Sequence, residues 1–138
     1  EVHAHFVPAY VRGDGARLRQ ALLALLDNAR RYAGAGILTV GTRVETAQVV
    51  LYCTDFGPGL PKGAESRVFD RFWRGDESRS RASGGSGLGL AVVRAVARAH
   101  QGDALAYSRP GAGTTVEIRL PLADQAAVEA QAAQVGRG

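Results

Sequence analysis

The chain has 138 residues, 46% hydrophobic and 22% charged, with a formal net charge of +4, a balance that suits one compact domain around a single core. No apolar run of about eighteen residues is available to cross a bilayer, and no charged–apolar–small leader opens the sequence, so neither a spanning segment nor an export signal is expected. Lys62 is the only lysine, so arginines carry the basic excess; acids are interspersed and no aromatic–basic stripe appears, which argues against a nucleic-acid partner.

Residues 1–7 (EVHAHFV) alternate polar and apolar side chains and are predicted as an edge strand. Asp14 fits the N-cap of a helix over 15–33, in which Leu18, Leu22, Leu25, Leu26 and Ala29 form one apolar stripe. Gly34 and Gly36 end it. ILTVGTRVE (37–45) and AQVVLYCTD (47–55) read as two strands joined by a tight turn. The only cysteine, Cys53, sits in the apolar run VVLYC and reads as buried filler in a reducing compartment. FGPGLPKG is turn chemistry, and a short amphipathic piece is predicted at 65–73. Residues 74–86 hold almost no apolar side chain and are expected to be mobile. A second helix is predicted over 87–100, then strands in DALAYS and TTVEIRL around RPGAG. The Ala/Gln-rich tail after Pro121 reads as frayed or as a short exposed helix.

This order predicts an α+β fold: a two-layer α/β sandwich with a mixed, mainly antiparallel sheet and its helices on one face. A doubly wound parallel sheet would need a helix between nearly all successive strands.

Three constellations carry chemistry. GGSGLGLAVVRAVARAH (84–100) fails as a dinucleotide fingerprint, because Leu90 or Val92 occupies the third glycine position. A P-loop fails too, since Lys62 follows a proline. What remains is a glycine-lined helix start at Ser86–Gly87–Leu88–Gly89, whose free N–H groups and dipole favour an anion; a flexible hinge is the competing reading. In TDFGPGL, Asp55 ends a strand and is followed by Gly57 and Gly59. Alone, this fits an ordinary strand-ending turn. The DFG of eukaryotic protein kinases is excluded, because the upstream strand lysine and the His-Arg-Asp loop are missing. A carboxylate at that point can accept a hydrogen bond from the amino group of adenine, whereas guanine presents an acceptor oxygen there. On the first helix, Ala24, Asn28, Arg31 and Tyr32 fall within a sector of roughly 100° beside the leucine stripe. An amide oxygen, a guanidinium and an aromatic ring on one flank can meet a metal, a phosphate and a base; a solvated flank reads equally well.

Taken together and in order, ALLALLDNARRYA, TDFGPGL, VFDRFWRGD, GGSGLGLAVV and PGAGTTVEIRLPL resemble the ATP-binding catalytic domain of bacterial sensor histidine kinases. That domain belongs to the superfamily shared with gyrase, Hsp90 and MutL ATPases, built on the Bergerat fold. The resemblance covers residues 1 to about 122, so 1–122 is expected to be the catalytic domain and 123–138 a flexible tail. Each box alone is weak; five in the correct order are specific.

The resemblance implies ATP and Mg²⁺ as ligands, and it implies roles by position. Asn28 would ligate Mg²⁺ through its side-chain oxygen, Arg31 would reach the phosphates, and Tyr32 would pack near adenine. Asp55 would read the base, with Gly57 and Gly59 leaving room for it. Phe69 and Phe72 would anchor one end of a lid over the nucleotide, and Arg74 would lend charge from that lid. Gly85, Gly87, Leu88 and Gly89 match the glycine box at the lid's other end, next to Ser86, and Gly111, Gly113 and Thr114 match the last box. One position departs from the pattern. Four residues before the metal asparagine, related ATPases carry a water-activating glutamate and many histidine kinases a second asparagine; here it is Ala24, which implies weak direct hydrolysis and one fewer ligand for Mg²⁺.

His3, His5 and His100 match no phosphoacceptor motif and read as structural or exposed. The resemblance therefore implies transfer of the γ-phosphate to a histidine on a separate dimerisation domain of the same protein, with a response regulator downstream. It implies a monomeric fragment of a homodimeric, membrane-anchored sensor, facing the cytoplasm. Two other readings are an anti-sigma-factor-type serine kinase, against which the Phe69–Phe72 pair and FWRGD weigh, and a non-catalytic nucleotide-binding module, which Ala24 favours and the intact glycine boxes oppose.

Overall fold

The computed structural model describes residues 1–33, 36–70, 89–108, 111–123 and residue 133, with the side chains of 32 and 33 excepted. Five strands form one sheet: β1 (Val2–His5), β2 (Leu38–Glu45), β3 (Gln48–Asp55), β4 (Asp103–Ser108) and β5 (Thr114–Pro121). The spatial order is β1-β2-β3-β5-β4. Only β1 pairs in parallel, with β2; every other neighbour is antiparallel, so the sheet is mixed and mainly antiparallel as its hairpins predict. The β2–β3 turn is closed by Thr46, which takes a left-handed φ of 50°.

Two helices lie against one face of this sheet, α1 (Gly15–Ala33) on β2 and β3 and α2 (Gly89–Ala99) on β4 and β5. Asp14 caps α1 as predicted: its Oδ1 accepts the N–H groups of Ala16 and Arg17 at 3.0 and 3.2 Å. The helical repeat turns Ala21, Leu25 and Ala29 fully inward, while Leu18, Leu22 and Leu26 flank them half-buried. From α2, Leu90, Val93, Val96 and Ala97 meet that stripe. Beneath both helices lie Leu38, Val40, Cys53, Val116, Ile118 and Leu120, the alternate residues of their strands that face the helices. The amphipathic piece predicted at 65–73 differs in form: its described part is one 3-10 turn, Ala64–Ser66, from which Val68 and Phe69 continue into the core.

α1 and α2 run antiparallel, and a histidine fastens their outer ends. His100, at the end of α2, donates from Nδ1 to the carbonyl of Val96 at 2.8 Å and accepts at Nε2 the Asp14 N–H at 2.9 Å. These two partners assign the ring proton to Nδ1, because a carbonyl only accepts and an amide N–H only donates. His3 is exposed beside Glu1, and His5 is exposed on the edge strand, so all three histidines are structural or at the surface as predicted.

Among the described residues no helix packs on the opposite sheet face. There Arg43, Glu45, Glu117 and Arg119 close a ring of ion pairs at 2.9–3.1 Å across β2 and β5. Their stems cover Val50, and the Glu117 side chain is buried between two guanidinium groups. Charges of both signs thus seal a face that a single layer of helices leaves open.

Leu25 is completely buried where α1 meets the sheet. Leu25→Ala should therefore lower unfolding free energy by about 3 kcal/mol, read from urea denaturation, whereas Leu23→Ala on the exposed side of the helix should change it by about 0.5 kcal/mol or less.

Candidate nucleotide site

β3 is a central strand, paired on both sides, and its last residue is Asp55. The pleat that sends Cys53 toward the helices sends Asp55 the same way, so its side chain is only 5% exposed. The chain must then turn away from the sheet, and Gly57 supplies the first donor: its N–H reaches Asp55 Oδ1 at 2.9 Å. Burial pushes the Asp55 pKa above the ordinary carboxylate value, while the backbone N–H groups of Gly57 and Thr114 oppose the shift.

A cavity opens over this carboxylate, with about 380 Å³ of space that includes open solvent at its mouth. Asn28 and Ala29 of α1 form one wall, Leu90 at the start of α2 another, and Leu60 and Val68 the side away from the sheet. Cys53, Asp55, Thr114 and Val116 form the floor. Polar atoms are few and are supplied chiefly by Asn28, Asp55 and Thr114. The Asn28 carboxamide stands on the cavity wall. Cys53 is buried, as its apolar context predicts, and it also lines the cavity; burial raises its thiol pKa to about 12, so it stays protonated and behaves as apolar surface.

The glycine turns are shaped for close approach. Gly59 has φ of 80°, a conformation that L side chains rarely adopt. Gly113 has φ of 92°, and a Cβ there would collide with the Asp55 carbonyl and the Phe56 backbone. The two turns are stitched by the Gly111 N–H, which donates to Pro58 O at 2.7 Å. Gly57 needs no positive φ; it serves through its N–H. At Gly89 a Cβ would meet nothing within 4 Å, so among the described residues no packing requires glycine there.

The structure thus brings Asn28, Asp55 and Thr114 to one cavity, while Gly57, Gly59 and Gly113 lie in the adjoining turns, outside its lining. Arg31 lies outside its lining: its guanidinium pairs with Asp27 one turn earlier, at 3.1 Å, and that carboxylate also takes Arg30 at 2.8 Å. Ala24 is half-buried against the core. Phe69 is a core residue with the Arg94 guanidinium 4.6 Å above its ring, which fastens the segment after the 3-10 turn to α2. Phe72, Arg74, Gly85, Ser86, Gly87 and Leu88 lie outside the described residues, as does the side chain of Tyr32.

Sequence reasoning missed Ser108. It ends β4 between the two glycine turns, and its Oγ accepts the Leu60 N–H at 2.6 Å. No local pattern marks it, because its role depends on the turn at Leu60, far away in the chain, meeting the turn at Gly113. Phe56, 61% exposed beside Asp55, lies outside the cavity lining and has no described role there.

Comparison with known proteins agrees with this geometry. Residues 13–124 match the family of histidine kinase-, DNA gyrase B- and HSP90-like ATPases. The probable sensor histidine kinase TcrY of Mycobacterium tuberculosis is 50% identical over 117 residues, which cover 83% of this chain and 24% of that protein. The chain spans about a quarter of the length of the curated relatives it matches. Among solved structures, the mycobacterial sensor histidine kinase MprB superposes with a TM-score of 0.75 at 33% identity, covering 88% of this chain and 81% of that one. Full-length ShkA in complex with AMPPNP gives a TM-score of 0.72 at 26% identity, over 88% of this chain and 26% of that one. A buried aspartate at the end of a central strand, two glycine turns beneath it and an asparagine on the facing helix therefore sit in a chain that belongs to the histidine kinase-, DNA gyrase B- and HSP90-like ATPase family, as an ATP-binding catalytic domain of the sensor-histidine-kinase type.

Proposed function

We propose that the cavity binds Mg-ATP with its adenine on Asp55, and that the domain donates the γ-phosphoryl group to a histidine on a separate dimerisation domain. The observation that carries this reading is the Asp55 carboxylate, buried beneath a largely apolar cavity with one oxygen engaged by Gly57. The other oxygen is an acceptor with little water to compete for it, which fits the amino group of adenine and opposes the carbonyl of guanine. Gly57 and Gly59 leave space for the ring, and Thr114 adds a hydroxyl beside it.

Asn28 supports the metal assignment. Mg²⁺ takes hard oxygen donors and usually keeps water and substrate phosphate in its shell, so one carboxamide oxygen with phosphates and water is a sufficient set. No cluster of three or more histidine, cysteine, aspartate or glutamate side chains competes for a cation among the described residues. Bound there, Mg²⁺ would neutralise the triphosphate. Arg31 would add charge by exchanging Asp27 for a phosphate oxygen, an exchange between two exposed partners that costs little. Arg74 and the glycine-rich segment from Gly85 to Gly89 would complete the phosphate site. In the transfer, the bond from Pγ to the bridging oxygen breaks, a P–N bond to the acceptor imidazole forms, ADP leaves, and the imidazole loses its proton. Positioning and charge neutralisation suffice for this reaction. Ala24 can neither deprotonate water nor hold metal, so hydrolysis by the isolated domain should be slow. No helix among the described residues is long and apolar enough to cross a membrane; the parent protein is proposed to be a membrane-anchored sensor with this domain in the cytoplasm, signalling to a response regulator.

By titration calorimetry the wild-type domain should bind ATP at least tenfold more tightly than GTP; Asp55→Asn should lose ATP binding, and Asn28→Ala should lose the gain that Mg²⁺ confers over EDTA. Equal affinity for ATP and GTP counts against the role of Asp55. Incubated with the dimerisation domain of its parent protein and labelled ATP, it should yield an acid-labile, alkali-stable phosphoprotein; an acid-stable product indicates a serine kinase, and no product a binding module. The raised Asp55 pKa also has a stability consequence. A raised carboxyl pKa contributes stability below the ordinary value of 3.8 and loses it as pH rises through the folded value. Nucleotide-free Asp55→Asn should therefore melt at a higher temperature than wild type at pH 7, with the difference shrinking as pH falls toward about 4, the ordinary carboxylate range, in calorimetric scans.

A further inference from the structure

The two glycine turns below the base site are joined by a side chain that none of the sequence boxes contains. Ser108 ends β4, half-buried, and its hydroxyl has one proton and two lone pairs. All three are used. Oγ accepts the Leu60 N–H at 2.6 Å, donates to the Gly113 carbonyl at 3.1 Å, and lies 3.4 Å from the Thr114 hydroxyl, which donates to it. Leu60 closes the turn that follows Asp55, and Gly113 leads into β5. Among the described residues no side chain other than Asp55 itself bonds to both turns.

The Asp55 carboxylate depends on the same two segments. One of its backbone donors, Gly57, belongs to the first turn, and the other, Thr114, follows the second. A carboxylate held from two separate loops points where the distance between those loops directs it. We propose that Ser108 is a positioning residue for the nucleotide base, holding the Gly57–Leu60 turn and the Gly111–Thr114 turn at the separation that aims the free oxygen of Asp55 into the cavity. This rests on the reading of the cavity as an adenine site. Removing the hydroxyl would leave the Leu60 N–H and the Gly113 carbonyl without their shared partner, and each would seek water by opening the turns. The backbone stitch from Gly111 to Pro58 remains, so the fold should survive while the aim of Asp55 is lost.

The test compares Ser108→Ala with Ser108→Thr, which keeps the hydroxyl, and with Ser108→Cys, which keeps the volume but bonds weakly, should the alanine variant unfold. In nucleotide-free protein, carboxyl ¹³C NMR should show Asp55 titrating at higher pH in Ser108→Ala (or Ser108→Cys) than in wild type, because the N–H groups that oppose burial have drawn away, and Ser108→Thr should restore the wild-type midpoint. By calorimetry, Ser108→Ala should lose roughly tenfold in ATP affinity and its ATP-to-GTP ratio should fall toward one, with Ser108→Thr again restoring both. An unchanged Asp55 titration in a folded Ser108→Ala variant overturns the inference, as does a loss of ATP affinity with the ATP-to-GTP ratio intact. Failure of the wild type to prefer ATP would instead strike the adenine reading, while the NMR arm would still decide whether Ser108 aims Asp55.

Discussion

The burial of one carboxylate organises the functional end of this domain. An ionised group taken from water is costly unless hydrogen bonds meet it. Backbone donors offset that cost for Asp55 only in part, and they can reach it because it stands where β3 stops and the chain on either side of the β3–β5 ladder departs into glycine turns. The turns must come close enough to donate, and Gly113 can do so only without a side chain. A strand end and two turns thus converge on a single desolvated carboxylate. Apolar walls from Leu60, Val68 and Leu90 limit water around it and strengthen whatever bond it makes to a ligand.

The helix layer joins this site to the rest of the molecule. α1 turns Ala21, Leu25 and Ala29 into the core, and the same helix carries Asn28 to the cavity wall one residue before Ala29. Core packing and the cavity wall therefore share one rigid element, and Asn28 is placed by its neighbours' burial. At the far end, His100 binds the end of α2 to the start of α1, which fixes how far the two helices slide past each other. Asn28 late in α1 and Leu90 early in α2 face one cavity because that sliding is set.

The sheet face away from α1 and α2 solves a different problem. Among the described residues no helix covers it, and a closed ring of two arginines and two glutamates lies over Val50. Arg43 also sits 5.3 Å above the Tyr52 ring. A network of this kind contributes modestly to stability, yet it shields the strand interior and denies an apolar surface to other chains.

Most of the architecture was legible in the sequence. Strands, helices and the Asp14 cap follow from local periodicity and capping chemistry, which act within a few residues, and the order of the elements restricted the topology to a mixed sheet with helices on one face. Asn28, Asp55, Gly57 and Gly59 were legible as candidates because each stands at a position where only a few residue types serve. Local pattern could not reveal Ser108, whose role exists only when β4, the turn after β3 and the turn before β5 converge from positions 108, 60 and 113. Nor could it foresee that Cys53, read as filler, would form the cavity floor, or that Arg31 would pair with Asp27. Periodicity and motif spacing determined which elements form and which side chains are eligible for chemistry. The tertiary structure decided which of them meet, since distances between segments far apart in the chain are set by packing and hydrogen bonding across the sheet.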